Sequence, residues 1–429
     1  MSTLTIEELT HAVSGGVAAI RIHQRLQPAG GAGDKVFPPT YATGDSEPLK
    51  YAVEDRRIDG EAVPCVLLDS VASQANRLEE ALLEAWYCGD AEFPVFGVDF
   101  SDYSDLADLG LLTTLQTPHR IADALIRDAL TMDESPLPFR DSEAGRRYTL
   151  ASTRNATAVY QLCPTALIFG VWDSTGPRGG SGSKFQRALV SEIVGVNYEP
   201  GVKGASRIDP TGIQSKVPVY HKADDPNDWT ATITEALTDK KGVPTPFSRS
   251  GAEGKGKPSA VNHSNVAPSI DKKAGGVTLD YALHTLVLSL PALRRLRFPV
   301  DVDGVVIPPE SRKITETAVR TALAALALTA VAYQREQGYD LRSRSFLIPE
   351  AASPFQLEFV PADGGESAFY AFSISDAQAL LKAAASAAAE NGFTWEREPL
   401  KLKPMPKLVE LIRASRRVAA ETDERAEAD

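Results

Sequence analysis

The sequence predicts an α+β fold, an open sheet with helices packed on it and long protrusions. Three observations carry that expectation. Strand-like alternation and one-sided helical stripes follow each other in mixed order, with no internal repeat. The chain has 429 residues and is 43% apolar, enough to bury a sizeable core. Residues 239–276, DKKGVPTPFSRSGAEGKGKPSAVNHSNVAPSIDKKAGG, are rich in Gly, Pro, Ser and Lys and read as a flexible insertion rather than core. The expected organisation is a single domain, 1–429, carrying that insertion and a charged, frayed tail at 413–429.

Each element follows from its pattern. VAAIRIHQR (17–25) alternates as a strand, with Ala18, Ile20 and Ile22 inward, and a Gly/Pro-rich loop runs from Pro28 to Gly44. VPCVLLDS (63–70) reads as a buried strand feeding a helix from Val71, whose stripe is Val71, Ala75, Leu78, Leu82 and Ala85. TPHRIADALIRDAL (117–130) predicts a further helix, with Thr117 as N-cap and Pro118 at its first position. TALIFGVW (165–172) reads as a strand, followed by a glycine loop and a helix from Lys184. Phe185, Ala188, Leu189 and Ile193 would share one face of that helix, and Lys184, Arg187 and Ser191 another. VTLDYALHTLVLSL (277–290) resumes strand character. Two alanine-rich helices are expected near Thr315–Glu336 and Asp376–Glu390, with strand-like QLEFVP and FYAFSI between them. The apolar run Ala322–Tyr333 is too short to span a bilayer and reads as a buried helix.

Composition excludes several classes. The N-terminus lacks the basic-then-apolar layout of a secretory signal, so a cytoplasmic protein with no membrane attachment is expected. Cys65, Cys88 and Cys163 are widely spaced, with no Cys-x-x-Cys, so neither a zinc site nor a disulfide framework is expected. No cofactor is implied. The net charge of −12 argues at first against a nucleic-acid partner. Its distribution does not. Residues 1–135 hold 9 Lys+Arg against 23 Asp+Glu, a net of −14, whereas residues 140–297 hold 21 against 14, a net of +7. The basic middle is suited to a phosphate backbone and the acidic part to a basic neighbour.

The segment TGPRGGSGSKFQRALVSEIVG (175–195) concentrates the chemistry. It is not a P-loop: four residues past Gly176 stands Ser181, and Lys184 is followed by Phe185 rather than Ser or Thr. It is not a dinucleotide fingerprint either, because after Gly180-Ser181-Gly182 the third glycine position holds Phe185. Two readings stand. Bare backbone amides at a helix N-terminus beside Arg178, Lys184 and Arg187 suit a phosphate, or the loop is a connector with a solvated basic face.

Other constellations are less specific. His119, Asp123 and Arg127 would stack on one helix face, and a single local histidine favours a surface ladder over a metal or acid–base site. Gln74, Asn76 and Arg77 would touch RNA or solvate the first helix, and Arg294, Arg295 and Arg297 would bind phosphate or line a helix end. No Ser/His/Asp set, paired-carboxylate motif or H-E-x-x-H presents itself, so no catalytic or metal-ligating residue is assigned.

DSVASQANRLEEAL (69–82), TPHRIADALIRDAL (117–130), PTALIFGVWDSTGPRGGSGSKFQRALVSEIVG (164–195) and SRIDPTGI (206–213) resemble, in this order, landmarks of one family. It is the backbone subunit of the type I-U (I-G) CRISPR interference complex, Cascade, a Cas-seven relative in the RAMP superfamily. The resemblance runs from about residue 15 to about residue 390. It implies an RRM-like (ferredoxin-like) core with large insertions, hand-shaped with palm, fingers and thumb. It implies a non-catalytic subunit of antiviral defence that lines up head-to-tail with further copies along the CRISPR guide RNA and presents the spacer to target DNA. The guide-processing or end-capping subunit, the large subunit and the helicase-nuclease would be its protein partners. The RNA-binding residues it implies are Arg178, Gly179, Gly180, Gly182, Ser183, Lys184 and Arg187, with Arg77, Arg120 and Arg207 more remote.

This implied function has a physical logic. A guide gripped regardless of its sequence must be held by phosphate and sugar, leaving base edges free. Aromatics make up only 7% of the chain, and the basic middle lacks the interleaved aromatics of a stacking RRM surface. The competing class is a metal-dependent RNA-cleaving RAMP enzyme, for which Asp173 and Asp209 are the candidate aspartates. A nucleotide-binding metabolic enzyme is a third class, disfavoured by the broken Walker spacing.

Overall fold

The computed structural model describes residues 2–44, 46–176, 183–248, 254–263 and 265–427. It contains mixed helices and sheets in two units. The first comprises Met1–Ala42, Tyr51–Glu199 and Val277–Met405, and the second Thr43–Lys50, Pro200–Gly276 and Pro406–Asp429.

In the first unit, helix α1 (Ile6–Ser14) opens on a Thr5 capping box with Glu8. Strand β1 (Val17–Pro28) follows, burying Ile20, Ile22, Gln24 and Leu26 in strict alternation. The hairpin β2 (Val53–Ile58) and β3 (Glu61–Asp69) leads directly into α2 (Val71–Tyr87), where the Ser70 hydroxyl caps the Ser73 amide. After a long excursion come β4 (Leu189–Val196), β5 (Tyr281–Ser289), helix α3 (Pro309–Gln337), β6 (Leu357–Pro361), β7 (Ala368–Ala371) and α4 (Ile374–Ala389). The sheet runs Ser2–Thr3, β7, β6, β1, β5, β4, β3, β2. Pairing is antiparallel between β6 and β1, β1 and β5, and β5 and β4. Helix α2 lies in the connection from β1 to β4, helix α3 in that from β5 to β6, and the two helices pack on each other.

Helix α3 is the centre of the core. Every residue from Val319 to Gln334 is buried, because α1, α2 and α4 all pack around it. It is long and apolar enough to cross a membrane by length and composition, and 83% of its apolar window is buried inside the protein. It is also much longer than the apolar run Ala322–Tyr333, since its first turns are polar and lie towards the surface.

A buried polar chain ties the sheet to these helices. Asp69, at the end of β3, accepts hydrogen bonds from Ser73 Oγ (2.8 Å), Gln74 Nε2 (2.7 Å), Arg77 Nε (3.0 Å) and Arg342 Nη2 (3.1 Å). Gln74 Oε1 accepts in turn from Ser191 Oγ (2.8 Å) and Gln334 Nε2 (3.0 Å). The Ser191 proton is thereby committed, so His284 Nε2, 2.8 Å away, is the donor to Ser191. Tyr339 OH lies 3.3 Å from His284 Nδ1 and donates to Gln24 Oε1 at 3.2 Å. A slip of β4 or β5 by one residue would bury these groups unpaired.

Three local expectations are corrected. Residues 165–172 are not a strand: Thr165–Phe169 is a fully buried helix, and only Val171–Trp172 is extended. A short, uninterrupted apolar run carries no periodicity that separates these outcomes. No helix starts at Lys184. Lys184–Phe185 and β4 are strands, because β4 carries Val190, Ile193, Val194 and Val196 and is held between β3 and β5. The helix expected over 117–130 is broken into a 3-10 turn, Arg120–Ala122, and a single turn, Ala124–Arg127. Arg120 sits at φ +53, and Asp123 caps the second turn through the Leu125 amide instead of stacking under Arg127.

The second unit has a two-stranded ladder, Lys203–Arg207 with Val266–Asp271, and a small cluster of Val219, Phe247 and Ala260 flanked by Trp229 and Val261. Phe247, Ala260 and the second strand of the ladder thus belong to the Gly/Pro/Ser/Lys-rich stretch 239–276. Its last helix, α5, spans Pro406–Glu427.

Candidate nucleic-acid interface

Beyond the helix Thr165–Phe169 the chain turns at Gly170 and forms a short antiparallel ladder, Val171 opposite Phe185 and Trp172 opposite Lys184. Gly170 has φ +82, and a Cβ there would lie 3.0 Å from the Arg187 backbone nitrogen and 3.1 Å from the Phe185 carbonyl oxygen. Only glycine meets both demands. Directly opposed residues share a face of the ladder, so Val171 and Phe185 turn into the core while Trp172 and Lys184 turn outward together. The Lys184 Nζ lies 5.1 Å from the centre of the Trp172 ring, which is 58% exposed.

These outward groups line an open cleft of about 580 Å³, closed on its other side by residues 118–127. His119, Arg120, Arg127, Lys184 and Arg187 contribute to its wall, with the hydroxyls of Ser174 and Thr175. Among the described residues that line it there is no carboxylate. In a chain of net charge −12 this is a local positive depression with an aromatic plate on one wall.

Two ion pairs, each on a buried carboxylate, hold the walls. Arg120, 5% exposed, donates Nε to Glu79 Oε1 (2.7 Å) and Nη2 to Glu79 Oε2 (2.6 Å), and its Nη1 reaches the Gly170 carbonyl at 3.0 Å. Burial pushes the Glu79 carboxyl up to about 7, against the pull of Arg120 and, more weakly, Arg187. The second pair is Arg140 with Asp173. Arg140 Nη2 donates to both carboxylate oxygens at 2.9 and 3.0 Å and to Thr175 Oγ1 at 3.0 Å, and the Thr175 amide donates to Asp173 Oδ1 at 3.1 Å. The loop that leaves Trp172 is therefore latched at its base.

The residues singled out from sequence separate into four groups. Lys184 and Arg187 reach the cleft, Arg187 with its Nε on the Phe169 carbonyl at 3.1 Å. Arg178, Gly179, Gly180 and Gly182 lie outside the described residues. Ser183, Arg120 and Arg77 face inward: Ser183 Oγ donates to the Tyr148 carbonyl at 2.7 Å, Arg120 braces Glu79, and Arg77 joins Asp69 and the Leu341 carbonyl. Arg207 ends a strand of the second unit. With no helix at Lys184, the helix-dipole argument for an anion at the glycine loop has no basis, and the charge must come from side chains. Arg294 is a structural residue as well, donating to the carbonyls of Ala12, Val13 and Val17, and Arg297 pairs with Glu316.

Residues 20–200 match the protein family described as CRISPR-associated protein GSU0053. The match covers 181 of the 429 residues and likens that stretch to CRISPR-associated proteins. It is the family whose landmarks the ordered segments resemble. The match runs from within β1 to just past β4 and holds every residue of the cleft and the landmarks 69–82, 117–130 and 164–195. No curated relative matches the chain. For a protein of a CRISPR system the partners implied are guide RNA and other CRISPR-associated proteins.

Sequence reasoning missed Trp172 and the two ion pairs, and placed Arg127 on a helix-face ladder with His119 and Asp123 rather than in a cleft. Glu79 and Arg120 are 41 residues apart, and Arg140 and Asp173 are 33 apart, so no local pattern joins them. A single Trp before a glycine loop was the one available signal.

Proposed function

We propose that this protein is a non-catalytic guide-RNA-binding backbone subunit of a type I-U (I-G) Cascade. In this reading it polymerises head-to-tail along the spacer and presents it for pairing with target DNA. The observation that carries it is the carboxylate-free basic cleft inside the stretch that matches the CRISPR-associated family. Lys184 and Arg187 serve as phosphate ligands, which is the sequence-indifferent grip a guide requires. The strand order β6-β1-β5-β4, with α2 and α3 in the two crossovers, supports reading the core as RRM-like (ferredoxin-like). The excess of carboxylates in residues 1–135 over the basic middle suits a contact between unlike surfaces, the kind that propagates into a filament.

The proposed absence of catalysis accords with the two candidate aspartates. Asp173 has both oxygens engaged by Arg140, and Asp209 receives the Thr211 amide at 2.9 Å and lies 3.5 Å from His263.

Fluorescence anisotropy with single-stranded RNAs of increasing length and unrelated sequence tests the reading. Binding should be indifferent to sequence, tighten stepwise with length, and weaken with salt at a slope of about −0.7 per phosphate neutralised. Length-independent or absent binding overturns it. Metal-dependent RNA cleavage lost in Asp173→Ala or Asp209→Ala would instead make the protein a nuclease.

A further inference from the structure

Besides the exposed cations Lys184 and Arg187, the cleft wall carries a tryptophan. Trp172 is 58% exposed and sits at the mouth of the cleft. An indole left open to water on a two-stranded ladder contributes little to the fold, and its neighbours Val171 and Phe185 supply the core contact instead. Its placement opposite Lys184 is fixed by the ladder register, and the base of the following loop is fixed by Arg140 on Asp173. The cleft volume of about 580 Å³ is that of a small-ligand site.

We propose that Trp172 is a stacking platform for one unpaired nucleobase of single-stranded RNA, whose flanking phosphates rest on Lys184 and Arg187. The inference rests on the RNA-binding reading and deepens it. A π-face accepts any base, so the platform adds affinity without reading sequence, and the nearby ammonium strengthens the stack by its charge. It also revises the expectation that the subunit leaves all bases free, since the base on Trp172 is held by protein.

The test is a titration of the full-length protein with a 12-nucleotide single-stranded RNA, followed by tryptophan emission and by anisotropy. Wild type, Trp172→Phe, Trp172→Ala and the pair Lys184→Ala with Arg187→Ala are compared, with thermal melts to confirm that each folds. The expected result is emission quenching in wild type that disappears in both Trp172 variants. Affinity should fall about 10-fold in Trp172→Ala and be largely retained in Trp172→Phe. Wild-type affinity in Trp172→Ala, with loss only in the Lys184/Arg187 variant, overturns the platform and leaves RNA binding standing. No binding by the wild type overturns both.

Discussion

At the residue scale the site depends on charges whose partners are buried. Arg120 and Glu79 satisfy each other bidentately in the interior, so removing either strands the other. Arg120→Ala should lower folding stability by about 3–5 kcal/mol, read as a shift in the denaturant midpoint at unchanged slope. Lys184 and Arg187 are exposed and pair no buried carboxylate, although Arg187 holds the Phe169 carbonyl through Nε. Arg187→Ala should leave the midpoint nearly unmoved and reduce the salt slope of RNA binding by about 0.7, which a salt series on the variant checks. These two arginines look alike in sequence, and only burial separates the brace from the ligand.

The element scale is governed by the turn at Gly170. Its positive φ and the close approach of Arg187 N and Phe185 O let the chain leave a buried helix and enter the ladder within one residue. Gly170→Ala should destabilise by more than about 1 kcal/mol and weaken RNA binding with it, because the cleft wall shifts. Thermal melts and anisotropy on the same sample check both. The same region shows why elements were legible unequally. Helix α2 carries its own stripe and its own cap at Ser70, and its start at Val71 follows from sequence. The helix Thr165–Phe169 has neither, being apolar on every side. Residues 184–196 have a helical stripe and β-branched side chains at once, and pairing with β3 and β5 decides between them.

On the scale of the whole molecule, two buried titrations oppose each other. Burial, with a minor push from His23, holds His284 at about 4, although Asp69 pulls the other way. A histidine whose folded value lies below its ordinary one contributes stability above pH 6.5 and loses it as pH falls through 4. That amounts to roughly 3 kcal/mol at full effect. Glu79, raised to about 7, does the reverse, its contribution being lost as pH rises from about 4.5 through 7. The wild type should therefore be nearly flat with respect to these two groups, whereas His284→Asn should lose stability as pH rises across that window. Denaturant midpoints of both proteins between pH 4.5 and 7.5 check this, and parallel profiles would refute it.

The sequence by itself determined the α+β class, strands within 17–25 and 277–290, the long alanine-rich helices, and the basic character of the middle third. Each is written in local periodicity or composition, and the ordered landmarks within 69–213 added a family resemblance. Only the tertiary structure decided which cations are free to meet a ligand. Arg77, Arg120 and Arg294 turn inward because carboxylates and carbonyls from distant segments need them, while Lys184 and Arg187 stay outside. Pairing of charges across 33 or 41 residues depends on loop closure and burial, which no local window of sequence contains.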